Sequence, residues 1–69
     1  MAKKPRLFFD GVYKNGPYVK AWKEGRGNSQ EIIVQIWKSG KAEGEPEGDW
    51  AMPAILGMVA IDQAIVQTK

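Results

Sequence analysis

The sequence predicts an α+β fold in which a small antiparallel sheet of three to four strands is followed by one C-terminal helix. Short stretches of alternating apolar and polar residues, separated by turn-forming residues, fill residues 6–45. Of the 17 residues at 50–66, 13 are apolar, and no charge precedes Asp62 there. A chain of 69 residues is too small to cover a helix that is apolar nearly all round. The sequence therefore predicts that this helix packs against a second copy or another partner, which makes the protein an oligomer.

One domain accommodates residues 6–69, preceded by a flexible basic tail at residues 1–5. Within the domain we expect the antiparallel sheet at 6–45, an acidic linker at 46–49 and the helix at 50–66. The net charge is only +2. It is unevenly distributed, because residues 1–26 carry +5 and residues 42–69 carry −4. This asymmetry predicts a basic face and a separate acidic loop.

The first two strands are predicted at residues 6–13 and 18–23. In the first, strict alternation puts Leu7 and Phe9 on one side and Phe8 and Val12 on the other. Asn15-Gly16 is a strong turn signal between the strands, because both residues accept positive φ. Asp10-Gly11 is a competing turn, or marks a bulge in the first strand.

The third strand is predicted at residues 31–38 and has the clearest pattern. Ile32, Val34 and Ile36 form one inward row, whereas Ile33 and Trp37 lie on the opposite side. That second row is too apolar for a fully solvated face, so both faces of this strand are expected to be covered. A short fourth strand is possible at residues 41–43.

The predicted helix has a cap, a tolerated proline and a row of small residues. Asp49 is placed to cap it, and Pro53 falls in the first turn. Gly57 in its middle costs about 1 kcal/mol relative to alanine. The small residues that share one arc of the helix are Ala54, Gly57, Ala60 and Ala64. This arc packs either on the protein's own sheet or against a helix of a partner subunit.

The composition argues against an enzyme and against the common cofactors. The chain has no cysteine and no histidine. Disulfides, ordinary zinc or haem sites, and Ser-His or Cys-His nucleophile pairs are therefore excluded. The carboxylates of the acidic segment recur at every second position: Glu43, Glu45, Glu47 and Asp49. They lack the spacing of a calcium loop, so we expect no metal and no cofactor, and interpret them as a solvated loop or as a docking patch for a basic partner.

Neither a secretory signal nor a membrane span is expected. The longest uncharged run has twelve residues (50–61), whereas a bilayer-spanning helix needs about 20. Together with the absence of cysteine, this predicts a cytoplasmic protein without membrane contact.

Aromatic and cationic residues alternate along the second and third predicted strands. Such mixtures bind single-stranded nucleic acid, because rings stack on bases while cations contact phosphates. Alternation places Tyr18, Lys20 and Trp22 on one face, and antiparallel pairing brings Trp37 to it. The full candidate set is Tyr18, Lys20, Trp22, Lys23, Arg26, Trp37 and Lys38. The alternative is that the aromatic residues only pack the fold.

The leading functional hypothesis is therefore a small non-enzymatic protein that binds single-stranded nucleic acid. The second hypothesis is a protein-interaction or inhibitor module, including one of viral type. It would act through the acidic loop at residues 43–49 or through the exposed strand face at Ile33 and Trp37. A variant of this hypothesis is an oligomer that holds a small anionic, nucleotide-like ligand.

Overall fold

Four antiparallel strands are followed by one helix. The computed structural model describes residues 7–25 and 27–68. In chain order the elements are β1 (Leu7–Val12), β2 (Tyr18–Glu24), a 3₁₀ turn (Gly27–Ser29), β3 (Glu31–Trp37), β4 (Gly48–Pro53), a second 3₁₀ turn (Ala54–Leu56) and α1 (Val59–Thr68). The sheet order is β1-β2-β3-β4, and neighbouring strands are antiparallel. The predicted fold class is confirmed to this extent. The predicted tail at residues 1–5 lies outside the described residues.

Within residues 7–25 and 27–68, the helix covers one face of the sheet and leaves the other without a helix. Alternation along β3 sends Ile32, Val34 and Ile36 toward α1, as predicted, and all three are buried. α1 lies over β3 and β4. We call the opposite, helix-free face of the sheet the open face. The fully buried partners of the β3 row are Val19 and Ala21 of β2 and Ala60, Ile61 and Ala64 of α1.

A β-bulge in β1 changes which side chains face the core. Leu7 pairs with Trp22 whereas Phe9 pairs with Ala21, so Phe8 is an extra residue in the strand. Both phenylalanines pack against the core, and Leu7 lies on the open face beside Trp22. The prediction that Leu7 and Phe9 share one side is therefore wrong, because a period of two fails where a residue is inserted.

The first hairpin turns one residue earlier than the sequence signal indicates. Lys14 and Asn15 have φ of 50° and 56°, and the N–H of Gly16 donates to the carbonyl of Tyr13 at 3.0 Å. Two successive positive φ values are typical of the type I′ turn, whose backbone twist matches the twist of the two strands that it connects. Lys14 therefore takes the first of the two positions, and Asn15 the second.

The C-terminal third differs most from the prediction of one helix at residues 50–66. Residues 48–53 form the edge strand β4, and α1 begins only at Val59. Pro53 is extended (φ −57°, ψ 135°), and Gly57 has φ 57° and ψ −133°. A right-handed helix cannot pass through Gly57 in that conformation. Asp49 lies in β4 and caps no helix, and residues 41–43 form no strand.

Two hydrogen bonds attach α1 to the sheet. The hydroxyl of Tyr13 donates to Oδ1 of Asp62 at 2.9 Å. The indole of Trp50 in β4 donates to Oγ1 of Thr68 at 2.8 Å, and that hydroxyl donates to the carbonyl of Ala64 at 2.7 Å. The first half of α1 is therefore hydrogen-bonded to the residue that follows β1, and the C-terminal end of α1 is hydrogen-bonded to β4. Among the described residues, no helix has both the length and the apolar character needed to cross a bilayer.

Candidate interaction surface

The open face consists of cross-strand rows that the register aligns. One row is apolar and runs through all four strands: Leu7, Trp22, Ile33 and Ala51. The next row is polar: Asp10, Lys20, Gln35 and Asp49. Beyond it lies a third row of Val12, Tyr18 and Trp37. Directly paired residues point to the same side of an antiparallel sheet, so the predicted grouping of Tyr18, Lys20, Trp22 and Trp37 on one face is what the register gives.

Trp37 is enclosed, although it belongs to the open face. Only 5% of it is exposed, and its indole N–H donates to the carbonyl of Gly44 at 3.2 Å. Tyr18 meets its ring edge-on with centroids 6.0 Å apart, and Nζ of Lys20 lies 5.8 Å from the ring centroid. The residues that follow β3 thus fold back over this ring. Trp37 packs the fold here and offers no free surface on which a base could stack.

Tyr18 is held by a carboxylate of the neighbouring strand. Its hydroxyl donates a hydrogen bond to Oδ1 of Asp10. That hydrogen bond raises the pKa of the Tyr18 phenol, and burial and the negative charge of Asp10 add to the effect. Lys20, paired across from Asp10, leans instead toward Trp37.

The other predicted cations do not join Lys20 on the open face. Lys23 pairs with the core residue Ile32 and therefore lies on the helix side, with its Nζ 5.7 Å from the ring centroid of Phe8. Lys38 follows β3 and lines a pocket of about 270 Å³ on the helix side, beside Ile65 and Thr68. Arg26 lies outside the described residues. Among residues 7–25 and 27–68, Lys20 is thus the one cation placed by strand register on the open face.

Carboxylates outnumber that cation. Glu24 and Glu31 are directly paired at the end of the β2–β3 hairpin, and Asp10 and Asp49 stand at the outer ends of the polar row. Oε1 of Glu24 accepts a hydrogen bond from the indole of Trp22 at 2.9 Å. The ion pair found within the described part of the chain joins Lys14 to Asp62, on the helix side. Among the described residues, strand register therefore places four carboxylates and one lysine on the open face. The predicted basic face also depends on Lys3, Lys4, Arg6 and Arg26, which lie outside the described residues.

The acidic loop is exposed and does not gather its carboxylates. Glu43, Glu45 and Glu47 are all exposed. Oε2 of Glu47 accepts a hydrogen bond from the backbone N–H of Lys38 at 3.1 Å, which closes the base of the loop. Within residues 7–25 and 27–68, no three carboxylates come together in a way that could hold a metal ion.

The small residues predicted for a partner contact lie in different environments in the structure. Ala60 and Ala64 are fully buried against the protein's own sheet, so they cannot touch a partner, and the alternative of an arc on the protein's own sheet holds for them. Ala54 lies in the second 3₁₀ turn, and Gly57 lies before α1. Ile33, the other predicted contact residue, lies half-buried on the open face.

A second exposed apolar surface was not anticipated. Ile55 is 93% exposed, and Met58 and Val59 are about half exposed at 46% and 50%. Val66, two turns further along α1, is 63% exposed. We call Ile55, Met58, Val59 and Val66 the helix-side patch. The absence of charges from residues 50–61 signals such a patch, but the sequence does not say which of those residues stay outside.

Comparison with protein-family models, with curated proteins and with solved structures finds no match to this chain.

Proposed function

We propose that the chain is a non-enzymatic protein-interaction module whose open face binds a partner protein. The observation that carries this proposal is the apolar row that crosses all four strands and that no helix or strand among the described residues covers. Leu7 is 48% exposed, Ala51 is exposed, and Trp22 and Ile33 between them are half-buried. Contiguous apolar surface rimmed by polar groups is typical of interaction sites, and tryptophan is enriched at their centres.

Single-stranded nucleic acid is the other ligand that the sequence suggests, and the open face suits it less well. Phosphates need a track of cations, whereas register places one lysine and four carboxylates on this face. Trp22 and Tyr18 remain accessible for stacking in part, but Trp37 does not. We therefore keep nucleic-acid binding as an outcome that the experiment below can return.

Photo-crosslinking distinguishes these ligands. We would place p-benzoylphenylalanine at Ala51, which is exposed on the open face, and as a control at Ser39, which is exposed in the turn after β3 and belongs to neither proposed surface. Irradiation of cells that carry each variant, followed by separate protease and nuclease digestion, identifies the class of any adduct. We expect protease-sensitive adducts that form at position 51 and not at position 39. Nuclease-sensitive adducts would instead support nucleic-acid binding, and equal adducts from both positions, or none, would contradict a role for the open face.

We also propose that the helix-side patch mediates self-association. Three of its members, Ile55, Met58 and Val59, fall within the uncharged run at residues 50–61. Two copies can therefore meet through it without bringing like charges together. The next charge along the chain, Asp62, accepts a hydrogen bond from Tyr13 and pairs with Lys14. This surface replaces the small-residue arc as the candidate for the predicted oligomer.

Sedimentation at several protein concentrations tests this second proposal. We expect the wild-type chain to show a concentration-dependent increase in mass that the double variant Ile55→Ser, Met58→Ser loses. The control is Val12→Ser, because Val12 is comparably exposed, at 51%, on the other side of the sheet. A wild-type monomer at all concentrations, or equal loss with Val12→Ser, would contradict it.

A further inference from the structure

We infer that the segment bound by the open face is a basic amphipathic helix that lies along the apolar row, across the strands. This inference rests on the proposed function and specifies the chemistry of the partner. It follows from the dimensions of the row, the charges that border it and the way in which the opposite face of the sheet is already covered.

The dimensions of the row fit a helix of about ten residues. Neighbouring strands lie about 4.8 Å apart, so the four positions from Leu7 to Ala51 span about 14 Å. A ten-residue helix is about 15 Å long, and its turns repeat every 5.4 Å. Side chains spaced three or four residues apart on such a helix would therefore meet successive strands of the row.

Carboxylates border the row on both sides. Glu24 and Glu31 lie two residues from Trp22 and Ile33 along their strands, which is a displacement of about 7 Å. On the other side, Asp10 and Asp49 stand at the ends of the polar row. The ammonium of Lys20 does not neutralise this border, because it leans over Trp37 and so away from the apolar row. Lysine or arginine on both flanks of an apolar helix stripe would meet these acids.

The same charges argue against the other occupants. A second copy of this face would bring carboxylates against carboxylates, and a phosphate backbone would meet the same repulsion. An extended peptide would add to a sheet edge through its backbone and leave the face uncovered. A helix already packs on this sheet, since the ten residues of α1 cover the opposite face over β3 and β4. A helix on the open face would add a third layer to the sheet.

Designed peptides test this inference on the purified chain. The probe is a 14-residue leucine–lysine peptide with leucines on one helical stripe and lysines on both flanks. Its counterparts are the same peptide with glutamate for lysine, a version interrupted by proline that cannot form a helix, and a thymidine oligonucleotide. We expect calorimetry to show binding of the lysine peptide at least tenfold tighter than that of every counterpart, and weaker binding as salt rises.

Charge reversal on the protein locates the site. The double variant Glu24→Lys, Glu31→Lys should weaken binding of the lysine peptide at least tenfold. The control Glu43→Lys, Glu45→Lys makes the same charge change in the acidic loop and should stay within twofold of wild type. Equal binding of the glutamate or proline peptide, preference for the oligonucleotide, or equal loss in the loop control would overturn the inference. Crosslinks to protein from position 51 would then leave the proposed function standing, whereas their absence would remove both.

Discussion

The hydroxyl of Tyr13 donates a hydrogen bond to the carboxylate of Asp62 at 2.9 Å, and this bond joins the end of β1 to α1 across 49 residues of sequence. Nζ of Lys14 lies 3.5 Å from the same oxygen. The rings of Phe9 and Tyr13 pack nearly perpendicular to each other, with their centroids 5.4 Å apart. The first hairpin and the last helix are thereby coupled, although α1 itself lies over β3 and β4.

Alkaline pH should weaken this link. The hydrogen bond with Asp62, and after it burial, raises the pKa of Tyr13 above its ordinary value of 10.0. Because the pKa is higher in the folded state, this stabilising contribution is complete below about pH 10 and is lost as the pH rises through the folded value. Urea unfolding of wild type and Tyr13→Phe between pH 8 and pH 12 measures it. We expect wild type to be the more stable at pH 8 and its advantage to shrink above pH 10; a constant difference would contradict the assignment.

The hydroxyl of Thr68 should contribute measurably to the docking of α1. It accepts from the Trp50 indole at 2.8 Å and donates to the carbonyl of Ala64 at 2.7 Å. Thr68→Val keeps the shape and leaves the indole N–H without its acceptor, which costs about 1–3 kcal/mol. Thr68→Ser keeps both hydrogen bonds and is the control. Chemical unfolding should rank the serine variant well above the valine variant, and equal stability of the two would show that the bonds contribute nothing.

Adding a side chain at Gly57 should lower the stability of the fold through backbone conformation alone, without any steric clash. A Cβ added there meets no atom within 4 Å, but the residue has φ 57°. With ψ of −133°, this conformation costs a non-glycine residue about 1–3 kcal/mol. Gly11 provides the control, because a Cβ there also meets nothing within 4 Å and its φ is not positive. Thermal unfolding should show a clear loss for Gly57→Ala and a change within about 0.5 kcal/mol for Gly11→Ala.

The sequence predicts β2 and β3 well because their alternation is chemically distinct, whereas in β1 it predicts the strand but not which side chains share a face. In β3 each isoleucine or valine of the core row is buried, and β2 alternates just as clearly. β4 alternates too, with Trp50 and Met52 half-buried and Ala51 and Pro53 exposed. Of its three exposed positions only Asp49 is polar, so from Trp50 onward no alternation of polar and apolar residues is visible and the segment resembles the start of one long helix. The backbone conformation of Gly57 rules out one continuous helix, but that conformation cannot be deduced from the sequence.

The charge of the open face was beyond sequence reasoning for a different reason. Segment totals place an excess of cations in residues 1–26, but they do not say on which side of a strand each charge falls. Lys23 and Glu24 are neighbours in sequence, and register sends them to opposite faces. The bulge at Phe8 likewise decides that Leu7 joins Trp22. Pairing register and one inserted residue thus determine which of the described charges share a face, and neither is encoded in composition.

The pairing of Glu24 with Glu31 leads to a final prediction, because it implies a conflict between stability and binding. Like charges directly opposite each other destabilise an antiparallel pair, whereas opposite charges contribute about 0.2–1 kcal/mol. Glu31→Lys should therefore stabilise the fold by about that amount while it weakens binding of the leucine–lysine peptide. Glu31→Gln, which removes the repulsion without adding a cation, should fall between wild type and the lysine variant in both respects. Urea unfolding and calorimetry on the same three proteins measure the two effects. If the lysine variant were less stable than wild type, the acidic pair would be a structural element and not a binding feature retained at a cost to stability.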